Sequence, residues 1–131
     1  MGQLFGTTVL VAGTFFFLLT TWSSGTAPQQ FAARLGLAIA NAGGVNEIRA
    51  QYAGFFLAAA LVCVAALAGW LPRQAAFVMM TVIFGGLIAG RLLSLMIDGG
   101  LAGYGPTIRA LYAIDAVGFA LAVAALATSS R

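Results

Sequence analysis

Six side chains carry the chemistry open to this chain: Glu47, Arg49, Arg91, Asp98, Arg109 and Asp115. They comprise all three acids of the sequence and three of its six arginines, in a chain that is 62% hydrophobic and 7% charged. Ionisable groups in apolar segments are costly unless paired, and they mark binding sites, proton relays or anchors. Arginine offers a planar fork to carboxylate, phosphate or carbonyl oxygens. A carboxylate can move protons once its surroundings tune it, but an arginine beside it favours its charged form. Three arginines facing three acids therefore suit an electrostatic anchor or a helix staple better than a general acid. No catalytic residue is expected.

Other chemistries lack their residues. Histidine is absent, and Cys63 is the lone cysteine in the middle of an apolar run, so the usual zinc sets, histidine-ligated haem and an internal disulfide are excluded. No metal site and no cofactor is expected, apart from a bound lipid or quinone. There is no lysine, no basic run and no aromatic-basic interleaving, which leaves nucleic-acid binding without support. The net charge of +3 comes from Arg34, Arg73 and Arg131, each isolated near the end of an apolar stretch, where lipid headgroups are the ordinary partner.

The elements that must position the six charges are helices. The composition leaves too little polar surface to coat a soluble domain, and four apolar stretches, about 4–22, 46–70, 74–97 and 107–127, are each near the ~20 residues a bilayer core requires. The expected fold is all-α: one integral membrane domain over 1–131, a four-helix bundle with a short interfacial helix at about 28–41 between the first and second spans. The first span, rich in Phe, Leu and Thr and ending at Trp22, reads as a lipid-facing helix, and as a retained one because Met1-Gly2-Gln3-Leu4-Phe5 lacks the positive start of a signal peptide. Position 6 is glycine, so Met1-Gly2 is no myristoylation signal.

After Pro28, Phe31, Leu35 and Ile39 recur at helical spacing with Gln30 and Arg34 off that stripe, the pattern of an interfacial helix. Gly43-Gly44 reads as a break, with Asn46 as N-cap of the second span and Glu47 in its first turn. Leu71-Pro72-Arg73 is so short that the third span must return antiparallel to the second. Asp98-Gly99-Gly100 closes the third span, and Pro106 suits the first turn of the fourth. Gly86 with Gly90, and Ala50 with Gly54 and Ala58, have the small-xxx-small spacing that lets helix backbones approach.

With four alternating spans, the start of the second, the end of the third and the start of the fourth share one side, and all six charges belong to those ends. At ~1.5 Å of rise per residue, Arg91 lies roughly 10 Å inside the third helix and Asp115 about 12 Å inside the fourth. The expectation is a deep Arg91–Asp115 pair, with Glu47, Arg49, Asp98 and Arg109 forming a shallower layer. Arg91, Ser94 and Asp98 follow i, i+3, i+7 on one face, and Tyr52, Tyr112 and Gln51 are placed to join the network.

Two segments, Asn46-Glu47-Ile48-Arg49-Ala50-Gln51-Tyr52-Ala53-Gly54 and Gly90-Arg91-Leu92-Leu93-Ser94-Leu95-Met96-Ile97-Asp98-Gly99, resemble the small bacterial membrane proteins grouped as domain of unknown function 4345, with a likeness that extends over nearly the whole chain. That family has an N-E-I-R-A-x-Y segment opening the second helix, a G-R motif followed by D-G closing the third, and an acid in the fourth, here Asp115. Members often carry a second glycine after the tyrosine, where this chain has Ala53. The resemblance implies a four-span bundle and importance for Glu47, Arg49, Arg91 and Asp98. It implies no reaction.

Three functions follow as expectations. The first is an accessory, scaffold or subunit role in a membrane complex, as a homo-oligomer or with a larger partner, the charges fixing the bundle. The second is binding of a lipid, isoprenoid or quinone at the polar end. The third is small proton-coupled transport, disfavoured because every acid has an arginine available. Membrane lipids are partners in each. Loop arginines, Arg73 and Arg131 against Arg34, favour cytoplasmic termini in a bacterial inner membrane.

Overall fold

The computed structural model describes residues 2–129. Arg131, used above for orientation, lies outside the described residues. Among these residues all regular structure is helical: α1 (Gly2–Thr26), α2 (Pro28–Arg34), α3 (Ala42–Leu67), α4 (Arg73–Asp98) and α5 (Pro106–Ser129). The four long helices α1, α3, α4 and α5 are each long and apolar enough to cross a membrane. Large hydrophobic side chains such as Leu4, Phe15, Val82, Met96 and Ile97 cover the outside, and Trp22 and Trp70 are exposed at opposite ends.

Two helix pairs make the most extensive contacts, α1 with α3 and α4 with α5; α1 with α5 and α3 with α4 close the ring. Contrary to the lipid-facing assignment, α1 is the hub of the bundle. It buries Gly6, Val9, Leu10, Gly13 and Phe17 because its glycines admit large neighbours. A Cβ on Gly13 would lie 2.7 Å from Met80 Cε, and one on Gly6 would lie 3.1 Å from the Phe77 ring. The hydroxyls of Thr7, Thr8, Thr14, Thr20, Ser23, Ser24 and Thr26 donate back to the carbonyl four residues earlier, which satisfies them without water.

Helix ends follow local chemistry more closely than hydropathy. Helix α2 stops at Arg34 because Gly36 takes φ +77°, letting Leu37 N–H donate to Ala32 C=O at 2.9 Å and Gly36 N–H to Ala33 C=O at 3.0 Å. This Schellman cap makes the helix shorter than the expected 28–41 and leaves Leu35 to Ala40 irregular. Helix α3 starts before Asn46: Asn41 is its N-cap, accepting from Gly44 N–H at 3.1 Å. Gly43-Gly44 is therefore the first turn of a helix and not a break. Glycine is needed there, since a Cβ on Gly44 would meet Ile39 Cγ2 at 2.9 Å. The same helix ends at Leu67, short of Trp70, in a second Schellman cap at Gly69 (φ +78°), where Trp70 N–H donates to Ala65 C=O at 2.8 Å.

Arg49–Gly54 within α3 is a π-helical stretch, a local widening of the kind often found at functional sites. Thr21 Oγ1 of α1 donates to Ala53 C=O within it at 3.2 Å, so the widened turn is bonded to the hub helix. The small-xxx-small expectation is not met inside the chain. Nothing lies within 4 Å of a Cβ on Gly86 or Gly90, and Ala50, Gly54 and Ala58 are exposed. Close approach occurs instead at Gly13, Gly85 and Gly118.

Candidate functional site

Helices α4 and α5 bring Arg91 and Asp115 to the same depth, as the rise per residue requires. Arg91 Nε donates to Asp115 Oδ2 at 2.5 Å. Asp115 is 1% exposed, so the pairing removes the charge it would otherwise hold alone in an apolar setting. Tyr112, one turn before Asp115, donates from its hydroxyl to Arg91 C=O at 2.8 Å, and its ring lies 5.5 Å from the guanidinium carbon. Three of the expected residues, Arg91, Tyr112 and Asp115, thus form one unit.

The shallower layer does not assemble. Glu47 is exposed and makes no ion pair or hydrogen bond with any described residue. Arg49 Nε donates to Gly25 C=O at 3.3 Å, complementing the negative end of α1. Arg109 Nη2 donates to Ala102 C=O at 3.3 Å, and Asp98 accepts from the Tyr104 hydroxyl at 2.5 Å. Ser94 is exposed, with no described partner. These groups sit at helix ends where backbone carbonyls, loop side chains and solvent compete with an ion pair, and exposed ion pairs contribute little. Arg91–Asp115 is the sole salt bridge among the described residues. Not every acid therefore has an arginine.

Beside the pair lies a cavity of about 780 Å³, within the ~300–1,000 Å³ common for small-molecule sites. Helix α1 contributes Phe16, Leu19, Thr20 and Ser23; α2 and the chain after it contribute Phe31, Arg34, Leu35 and Leu37. Gln51, Tyr52, Phe55 and Phe56 come from α3, Leu87 and Arg91 from α4, and Thr107, Ile108, Leu111 and Asp115 from α5. Phe16 packs on Phe17, Phe56 and Phe84, and Phe56 on Phe17, with ring centroids 5.6–6.4 Å apart, so an aromatic cluster backs the wall. Tyr52 is held between Phe31 (4.9 Å, edge-on) and Phe56 (6.5 Å, stacked). It is a wall of the cavity rather than a member of the charge network.

Sequence reasoning missed Arg34, Thr20, Ser23 and Thr107 as lining groups and Tyr104 as the partner of Asp98. The return of α2 over the open end of α1 brings Arg34 in, and nothing in its spacing announces that. Tyr104 lies in the loop between α4 and α5, where its ring stacks on Tyr112 at 6.1 Å. The hydrogen bond to Asp98, followed by partial desolvation, pushes its ionisation above the usual tyrosine range.

The arrangement can bind more readily than it can catalyse. Asp115 is already occupied, and Arg91 uses only Nε on it, with no described residue accepting from its terminal nitrogens. A guanidinium oriented by a buried carboxylate, facing an apolar chamber, is a prepared donor for an incoming oxygen. No protein-family model matches the chain, and no curated protein or solved structure matches it.

Proposed function

We propose that this chain is a multi-pass protein of a bacterial cytoplasmic membrane that binds one amphiphilic molecule drawn from the bilayer, a lipid, isoprenoid or quinone, in the cavity beside Arg91. The observation that carries this reading is the chamber itself: about 780 Å³, walled mainly by aromatic and aliphatic side chains, with Arg34, Arg91, Gln51 and the hydroxyls of Thr20, Ser23, Tyr52 and Thr107 among them. A helix staple alone needs the ion pair but no space beside it. With cytoplasmic termini, the chamber lies in the outer half of the membrane.

The test is photolabelling. The protein in lipid nanodiscs is exposed to a fatty-acyl probe bearing a diazirine, and cross-linked peptides are mapped. Labels concentrated at Phe31, Tyr52, Phe55 and Leu111, lost in Leu111→Trp, support the reading; labels spread over the outer helix faces, unchanged by that substitution, refute it.

The accessory or scaffold reading has one observation in its favour, the uncovered Gly86 and Gly90 on α4, whose spacing suits a second helix. Cross-linking between cysteines placed at these positions tests it, and a chain that stays monomeric in the membrane would refute it. Proton-coupled transport draws less support, because the one buried acid is tied to Arg91.

A further inference from the structure

Three charged side chains line the cavity, Arg34, Arg91 and Asp115. Asp115 is buried and bonded to Arg91, which leaves that pair neutral as a unit. Arg34 is different. It is exposed, makes no ion pair or hydrogen bond with any described residue, and ends α2, a helix bounded by Pro28 at its start and the cap at Gly36. The cavity therefore has at its edge the exposed guanidinium of Arg34, with no partner among the described residues, together with the unengaged terminal nitrogens of Arg91.

Resting on the amphiphile-binding reading, we infer that the occupant is an anionic amphiphile, a carboxylate or phosphate head on a single apolar chain. The head takes a charge-assisted hydrogen bond from the guanidinium of Arg34 or Arg91, and the chain lies against Phe16, Phe55, Phe56 and Leu111. A neutral head would leave the Arg34 guanidinium to solvent, whereas an anion takes charge-assisted hydrogen bonds from it and uses the planar donor fork. Carboxylate and phosphate share this chemistry, so both arms are tested.

The experiment is displacement of the diazirine probe from protein in phosphatidylcholine nanodiscs by four competitors: oleic acid at a pH where it is ionised, oleoyl lysophosphatidic acid, mono-olein, and decylubiquinone as a neutral carbonyl head. The expected result is that one or both anions compete about tenfold better than either neutral molecule, the size of one hydrogen bond to a charged group. Arg34→Gln, at a position with no described partner to lose, should reduce that preference. Preference for the phosphate arm identifies a lipid phosphate, and preference for the carboxylate arm identifies a fatty acid; both support the inference. Equal competition by all four overturns the anionic assignment while leaving amphiphile binding intact. Absence of specific labelling in the chamber overturns both.

Discussion

Arg91 Nε and Asp115 Oδ2 lie 2.5 Å apart, in a position where Asp115 is 1% exposed, and this bond joins α4 to α5 at the wall of the cavity. Its partners are unequal. Asp115 is enclosed, while Arg91 is partly open toward the cavity, so the acid positions and the arginine presents.

Removing either partner should therefore have unequal and non-additive effects. Arg91→Ala strands a buried carboxylate and should destabilise the bundle by about 3–5 kcal/mol, whereas replacing both residues with leucine should cost much less. Unfolding in mixed micelles by a denaturing detergent, with the two single variants and the double variant compared, checks this. Additive losses would mean the two residues do not act as a pair.

Packing at the same two helices gives an independent check. A Cβ on Gly118 would lie 2.7 Å from the Phe84 ring, which is 3% exposed, so Gly118→Ala should destabilise by about 1–3 kcal/mol through overpacking. Gly86→Ala and Gly90→Ala meet nothing within 4 Å and should be neutral or stabilise by up to about 1 kcal/mol through helix propensity. Thermal melts of the three variants decide it, and loss of stability at Gly86 or Gly90 would instead indicate a helix packed there.

How far these features were legible in the sequence differs by depth. Arg91 and Asp115 were found by counting residues from the helix ends, because in the apolar interior a charge has few alternatives to a charge of opposite sign at its own level. Arg49 and Arg109 eluded the same reasoning because exposed carbonyls of Gly25 and Ala102 satisfy them. The four long apolar helices were readable from hydropathy, but the chamber was not: it depends on Gly36 stopping α2 early, so that Leu35 and Leu37 turn over it. Glycine spacing misdirected the packing expectation, since Gly86–Gly90 fits a pattern that Gly13, Gly85 and Gly118 carry out without any motif.

The loop provides a pH test. Tyr104 donates to Asp98, and this bond raises the pH at which its hydroxyl ionises. A group whose folded pKa is raised contributes stability that is present below its unfolded pKa, about 10, and lost as pH rises through the folded value. Tyrosinate absorbance should therefore show one of the three tyrosines titrating late, and Asp98→Asn should bring it to lower pH. An unchanged titration in Asp98→Asn would dissociate Tyr104 from that carboxylate.

The most direct measurement of the central claim is native mass spectrometry of the protein extracted from its own membrane in a mild detergent, compared with Leu111→Trp prepared identically. If the chamber holds a bilayer amphiphile, wild-type chains carry a single dominant lipid-sized adduct that survives delipidating washes, and the filled variant loses it. Wild-type chains that emerge bare, or an adduct equally abundant in Leu111→Trp, would contradict a binding chamber beside Arg91.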